Sequence, residues 1–250
     1  MTTCDENAGI SYLGESSKNL GLGLVYGDNH WAGANYSSTL TEIPGRSVES
    51  ITPDNRYNNV EQIFSFAKRT SHPYEEAAQL SREVSSWIWG AEPKKYGKLM
   101  YDGEPDFYYL AVPTAVSGFT IQVGVAISFS VTFSLVPYAY ETGSDKYQPV
   151  STGSVINNQR LYSALPLWHV NGTGNGSFVL NGVTYNFLGL NGDLYVDSDT
   201  EEVYDDANNY QPSMVQFDNY VFPVLSTGNN TFGALTNITL EVMPRWRTLL

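Results

Sequence analysis

The chain has 250 residues, enough for one large β domain or two ordinary ones, and its 42% hydrophobic and 14% aromatic content supplies a genuine core. A net charge of −13, from 26 acidic against 13 basic residues, argues against nucleic acid as a bound ligand, since phosphate contacts need clustered Lys and Arg. The single cysteine, Cys4, excludes an internal disulfide framework, and there is no run of about 18 apolar residues to cross a membrane as a helix. In chain order, the opening "MTTCDENAGI" carries neither a basic nor an apolar stretch, so no secretory leader is predicted. On that reading the Asn-x-Ser/Thr tripeptides, as at Asn35, Asn171 and Asn237, follow from a composition rich in Asn, Gly, Ser and Thr. Residues 21–27, "GLGLVYG", fit neither G-x-G-x-x-G nor G-x-x-x-x-G-K-[ST], and no βαβ unit surrounds them, so no phosphate loop is assigned.

One helix is predicted near 71–90, where Tyr74, Ala77, Leu80, Val84, Trp87 and Ile88 recur at steps of three and four. Ser71 or His72 can cap it, Pro73 suits its first turn, Glu75 and Glu76 suit the positive end of its dipole, and Gly90 can end it. Its apolar stripe reads as a sheet-covering face. From 119 to 135 every odd position is apolar, Phe119 through Leu135, while Thr120, Gln122, Ser128, Ser130, Thr132 and Ser134 share the other face. Period two means a strand with one buried face. Either Gly124 splits this run, or a ribbon of about 55 Å, at roughly 3.3 Å per residue, projects beyond its domain.

After Tyr140 the polar stretch 141–152 has no period and reads as a linker. Beyond it, Asn-Gly pairs at 171–172, 175–176, 181–182 and 191–192 predict tight turns between short alternating strands. The pattern is that of an antiparallel sandwich or barrel. The chain ends in "EVMPRWRTLL", in which Arg245 and Arg247 flank Trp246 and look placed to clamp something. Trp246 is a costly residue to leave on a frayed end.

The search for chemistry is negative. His30, His72 and His169 have no nucleophile in a recognisable setting, and no G-x-S-x-G elbow occurs. Several His or Cys at short spacing, which zinc would need, are missing, and no cofactor motif is found. The acidic run 197–206, "DSDTEEVYDD", lacks the Gly and Glu of an EF-hand loop, having Glu202 and Asn208 in their places, and reads as a solvated strand end. His169 and Asn171 have the order that begins a galectin sugar motif, but the arginine that should follow is missing. Neither catalysis nor a metal is assigned.

Four stretches, taken in order, resemble the distal tail protein (Dit) family of siphophages: "SSKNLGLGLV" at 16–25; "EIPGRSVESI" at 42–51, with Pro44, Gly45 and Arg46 in the family's Pro-Gly-Arg loop; the helix end "WIWG" with the later "VTFSLVPYAY"; and the C-terminal segment from "LYVDSDTEEVYDD" to "PRWRTLL". The family loop continues Asp-Gly, whereas Ser47 and Val48 stand here, and Val48 does not take the positive φ that glycine supplies. The resemblance implies a mainly β fold of two sandwich domains. A ring-forming (belt) domain with the helix would occupy 1–140, and a galectin-like sandwich 153–250, with the final strand able to return to the first. It further implies a virion protein at the tail tip, made in the bacterial host cytoplasm. There a homohexameric ring would join the tail tube protein to a tail-associated lysin or tail-spike protein and to receptor-binding or accessory proteins. Such a ring lets DNA pass without binding it and has no enzyme activity. On this resemblance Gly45, Arg46, Arg245, Trp246 and Arg247 are the candidate assembly residues. The competing reading is a carbohydrate-binding β-sandwich used for adhesion.

Overall fold

The computed structural model describes residues 4–25, 31–90, 95–122 and 126–250. The fold is mainly β and divides into two compact units, Met1–Ala139 with Leu249–Leu250, and Tyr140–Thr248. The first unit contains strands β1 (Cys4–Asp5), β2 (Ile10–Tyr12), β3 (Glu15–Ser16), β4 (Gly23–Val25), β5 (Tyr36–Thr41), β6 (Ser50–Tyr57) and β7 (Val60–Arg69). After them come helix α1 (Pro73–Trp89) and strands β8 (Gly97–Tyr101), β9 (Phe107–Val116), β10 (Thr120–Gln122) and β11 (Ala126–Glu141). The main sheet runs β1-β4-β7-β11-β9-β8-β2-β3, with β10 also paired to β11, while β5 and β6 form a separate two-stranded sheet.

The alternation read from sequence builds the first core. On β11, Ile127, Phe129, Val131, Phe133 and Leu135 are buried, and on the adjacent β7 so are Val60, Phe64 and Phe66. Phe66 stacks on Phe129 at 5.5 Å, and Phe133 meets Phe64 and Tyr12 edge-on at 6.1 and 5.2 Å. Each fully buried side chain of this size contributes about 1.5–3 kcal/mol relative to exposure. The run from 119 does not continue as one ribbon. β10 pairs antiparallel with β11, Thr120 opposite Ser128 and Gln122 opposite Ala126, so the chain reverses between them. Gly124 itself lies outside the described residues. Alternation survives the reversal because facing residues of a hairpin share a side, which puts Phe119 in a stack with Phe129 at 4.5 Å. The strand's length is instead gained at its far end, where β11 runs on to Glu141.

Helix α1 buries Leu80, Val84 and Ile88 in this core, with Ala77 and Trp87 partly buried beside them, whereas Tyr74 is exposed and off the stripe. Its N-cap residue is His72, whose side chain makes no capping bond. Thr70 serves the helix start instead: its Oγ1 accepts from the His72 N–H at 3.0 Å and donates to Glu76 at 2.6 Å. In the glycine-rich stretch, a Cβ on Gly23 would stand 2.7 Å from the Asp5 carbonyl, so this glycine lets β1 and β4 approach.

The second unit contains β12 (Gln148–Val150), β13 (Val155–Asn158), β14 (Leu167–Leu180), β15 (Val183–Asp197), β16 (Glu202–Asp205), β17 (Val215–Gln216) and β18 (Gly228–Met243); the last strand, β19 (Arg247–Leu249), follows, with Leu249 already counted in the first unit. Its sheet runs β12-β18-β14-β15-β16, with β13 on β18 and β17 on β15. Residues 141–152, read from composition as a linker, hold a strand, β12, whose Val150 is buried opposite Leu240. Only one of the four Asn-Gly pairs makes a hairpin turn. Asn181 and Gly182, at φ 51° and 84°, join β14 to β15, with Leu180 opposite Val183. The other three lie inside these long strands: Gly172 faces Gly192, and the register shifts between Gly174 and Gly176. The positive φ there is that of Gly174, 79°, so the chain bulges at this glycine without ending the strand. The second core surrounds Trp168, fully buried, whose Nε1 donates to Ser198 Oγ at 3.0 Å and to the Pro223 carbonyl at 3.1 Å.

Candidate functional site

The sequence-predicted residues fall into two groups, one in each unit. Gly45 and Arg46 occupy the tip of the β5–β6 hairpin. Gly45 has φ 80°, and the Arg46 N–H donates to the Ile43 carbonyl at 3.0 Å. With Pro44 preceding Gly45, these are the features of a type II turn. The turn is therefore complete at Gly45, and Val48 needs no positive φ in the modified loop. Below the tip the hairpin is held by local polar contacts, Ser37 Oγ donating to Asp54 at 2.5 Å and the Tyr36 hydroxyl to Asn55 at 3.2 Å.

What distinguishes this hairpin is its exposure. Nearly every residue of β5 and β6 is open to solvent on both faces. Leu40 and Ile51 are directly paired across it, yet are 58% and 67% exposed, and Val48 in the loop is 75% exposed. An isolated two-stranded ribbon is at best marginally stable in water, and one that displays paired aliphatic side chains has its own reason to be covered. The sequence gives no sign of a role for Leu40 or Ile51, and Val48 enters it only as a departure from the family loop. Each is a lone aliphatic between polar neighbours, and nothing local tells a buried one from a bare one.

In the second unit the C-terminal group is anchored locally. Arg245 forms a two-pronged bond to Asp197, Nη1 to Oδ1 at 2.8 Å and Nη2 to Oδ2 at 3.0 Å, and the aspartate side chain is only 11% exposed. Its backbone, at φ 54°, sits in the left-handed region, and its N–H donates to the Ser144 carbonyl at 2.9 Å. Trp246 packs on the second core, and its carbonyl accepts from the Glu141 N–H at 2.8 Å. Arg247 Nε donates to the Ser163 carbonyl at 2.8 Å. The final residues, Leu249 and Leu250, belong to the first unit, where Leu250 donates to the Pro137 carbonyl at 3.1 Å and accepts from the Ala34 N–H at 2.9 Å. The acidic run is accordingly not a purely solvated strand end: Asp197 is a buried counter-ion and Glu202–Asp205 is strand β16.

The His-x-Asn pair is also spent on internal contacts. His169 Nε2 lies 2.7 Å from Asp193 and Nδ1 2.9 Å from Glu241, while Asn171 donates to the same Asp193 oxygen at 2.7 Å. The imidazole stacks on Tyr195 at 4.9 Å. Both ring nitrogens can donate to carboxylates only when the ring is protonated. Burial opposes that charge, but the hydrogen bonds to Glu241 and Asp193 outweigh it and hold the His169 pKa above its ordinary value. Asp193 is held below its own by Asn171 and His169.

No protein-family model matches the sequence, and no curated protein matches it. Solved structures do. The fold is that of the Dit protein of phage SPP1. The match has a TM-score of 0.67 at 12% identity and covers 94% of this chain and 97% of that one, a protein described as a paradigm of the hub adsorption apparatus in phages infecting Gram-positive bacteria. The baseplate of phage P2 in its activated conformation is also similar, with TM-scores of 0.48 with Ca and 0.46 with Sr, each at 12% identity over 94% of this chain and 90% of the other.

Two outcomes follow. Arg245→Ala strands a buried carboxylate and lowers stability by about 3 kcal/mol, whereas the exposed Arg46→Ala changes it by less than about 0.5 kcal/mol; urea denaturation of the two variants measures both. His169 binds its proton more tightly folded than unfolded, so its contribution is full below about pH 6.5 and is lost as pH rises through the higher native pKa. The melting-temperature gap between the natural chain and His169→Gln therefore narrows from pH 6 to pH 9 in calorimetry.

Proposed function

We propose that this chain is a structural hub at the distal end of a siphophage tail. Six copies close into a ring that joins the tail tube to a tail-spike or tail-associated lysin protein and carries receptor-binding or accessory proteins outside. The observation that carries this reading is the end-to-end correspondence of fold with SPP1 Dit, which spans both units and nearly the full length of each chain. In this account the first unit is the ring-forming belt domain, and the second, a galectin-like sandwich, faces outward to other tail components. Bond-making chemistry belongs to those other components.

The bare β5–β6 hairpin supplies the physical means. Its aliphatic residues Leu40, Val48 and Ile51 lie against the neighbouring copy, and Gly45 and Arg46 at its tip complete the contact. Closing the ring covers every such hairpin, because a cyclic assembly leaves no terminal interface open. A net charge of −13 suits a conduit, since walls of like charge do not retain phosphate. A sugar-binding role for the second unit is less well supported, because His169 and Asn171 already hold Asp193 and Glu241.

Light scattering and negative-stain microscopy of the purified chain, alone and with the tail tube protein of its phage, test the reading. Six-membered rings are expected from the natural chain. The Leu40→Ser/Val48→Ser/Ile51→Ser variant should be monomeric with an unchanged circular dichroism spectrum. Monomers under both conditions, or rings that survive in the variant, would refute it.

A further inference from the structure

The second unit has a cavity that none of the roles above uses. It is about 730 Å³, within the roughly 300–1,000 Å³ usual for ligand pockets. It opens beside β16 and the segment 210–222. Its apolar walls include Tyr210, Phe217, Tyr220 and Phe222. Phe217 is buried and meets Phe222 edge-on at 5.5 Å, which fixes one wall against the core. Tyr220, by contrast, is 91% exposed. It follows Asn219 through two successive positive φ angles, 55° and 57°, a backbone region that an aromatic residue seldom enters. Bonds from the Tyr220 N–H to the Phe217 carbonyl at 3.1 Å and from the Val221 N–H to the Asp218 carbonyl at 3.2 Å hold that turn.

The charged groups of the cavity are of one sign, beside the neutral amides of Gln216 and Asn219. Glu201, Glu202 and Asp218 line it, and none of its described lining residues is basic. The Tyr210 hydroxyl donates to Glu202 Oε1 at 3.2 Å, which ties one aromatic wall to one carboxylate. Aromatic faces and carboxylates around one space favour the same guest, a cation, through the negative ring face and through direct charge pairing. A neutral sugar would also stack on tyrosine and could donate its hydroxyls to the carboxylates, but it would not draw on their net charge, which no basic lining residue offsets. A flat guanidinium or an ammonium group on a side chain gains from both.

We propose that this cavity is a docking site for an arginine or lysine side chain carried by a basic segment of a partner protein. The inference depends only on the geometry of the second unit and goes beyond the hub reading, so either can fail without the other. It is tested by proton–nitrogen NMR of the full chain titrated with acetyl-Gly-Arg-Gly-amide, the citrulline peptide of the same shape without charge, and a neutral N-acetylglucosamine tetramer. The arginine peptide should shift the amides of 201–203 and 217–221 saturably, with the citrulline peptide about tenfold weaker. Tyr220→Ala and, separately, the Glu202→Gln/Asp218→Asn pair should each weaken the arginine peptide several-fold while amides elsewhere keep their positions. Absence of shifts, equal binding of the citrulline peptide, saturation by the sugar in its place, or binding undiminished in both variants would overturn the proposal.

Discussion

Burial of one side of a single long strand is the constraint on which the first unit depends. β11 places Ile127, Phe129, Val131, Phe133 and Leu135 on the core side, and the neighbouring β7 answers with Phe66, Phe64 and Val60 in register. A slip of one residue would turn every one of these side chains to the opposite face, so the apolar pattern itself fixes the register. Helix α1 then covers part of the same core with Leu80, Val84 and Ile88. The second unit repeats the logic with β14 and β18, where Trp168 faces Val242 and Val170 faces Leu240.

Against two cores so thoroughly buried, the β5–β6 hairpin stands apart. It has the hydrogen-bonded ladder of a strand pair, but among the described residues no sheet above or below it receives Leu40 and Ile51. In the hub proposal this exposure is what the neighbouring copy covers. The C-terminal arginines are the reverse case. Arg245 satisfies Asp197 and Arg247 satisfies a backbone carbonyl, so their first effect is to hold the second unit's own chain in place before Leu249 and Leu250 return to the first unit.

Much of this was legible in the sequence, and the failures have physical causes. The period-two run and the helical stripe announced their elements because burial selects side chains one at a time along the chain. The reversal between β10 and β11 was hidden, because facing residues of a hairpin keep the same alternation as a continuous strand. The Asn-Gly pairs at 171–172, 175–176 and 191–192 carry turn-forming residues yet lie inside β14 and β15, because the long-range pairing of these strands overrides local turn chemistry. Arg245 and Asp197 are 48 residues apart, and no local pattern links them. The candidate residues Gly45 and Arg46 were visible only through family resemblance, and the apolar residues beneath them only through the fold.

The bare ribbon on one unit and the carboxylate-lined cavity on the other are the two surfaces on which the proposals rest. The hub proposal is tested most directly by the place and copy number of the chain in particles of the phage it would belong to. Immunogold microscopy with quantitative mass spectrometry of purified virions should put label at the distal end of the tail only, at six copies or a small multiple of six per particle. Label along the tube or on the capsid, or absence of the chain from purified particles, would contradict the account.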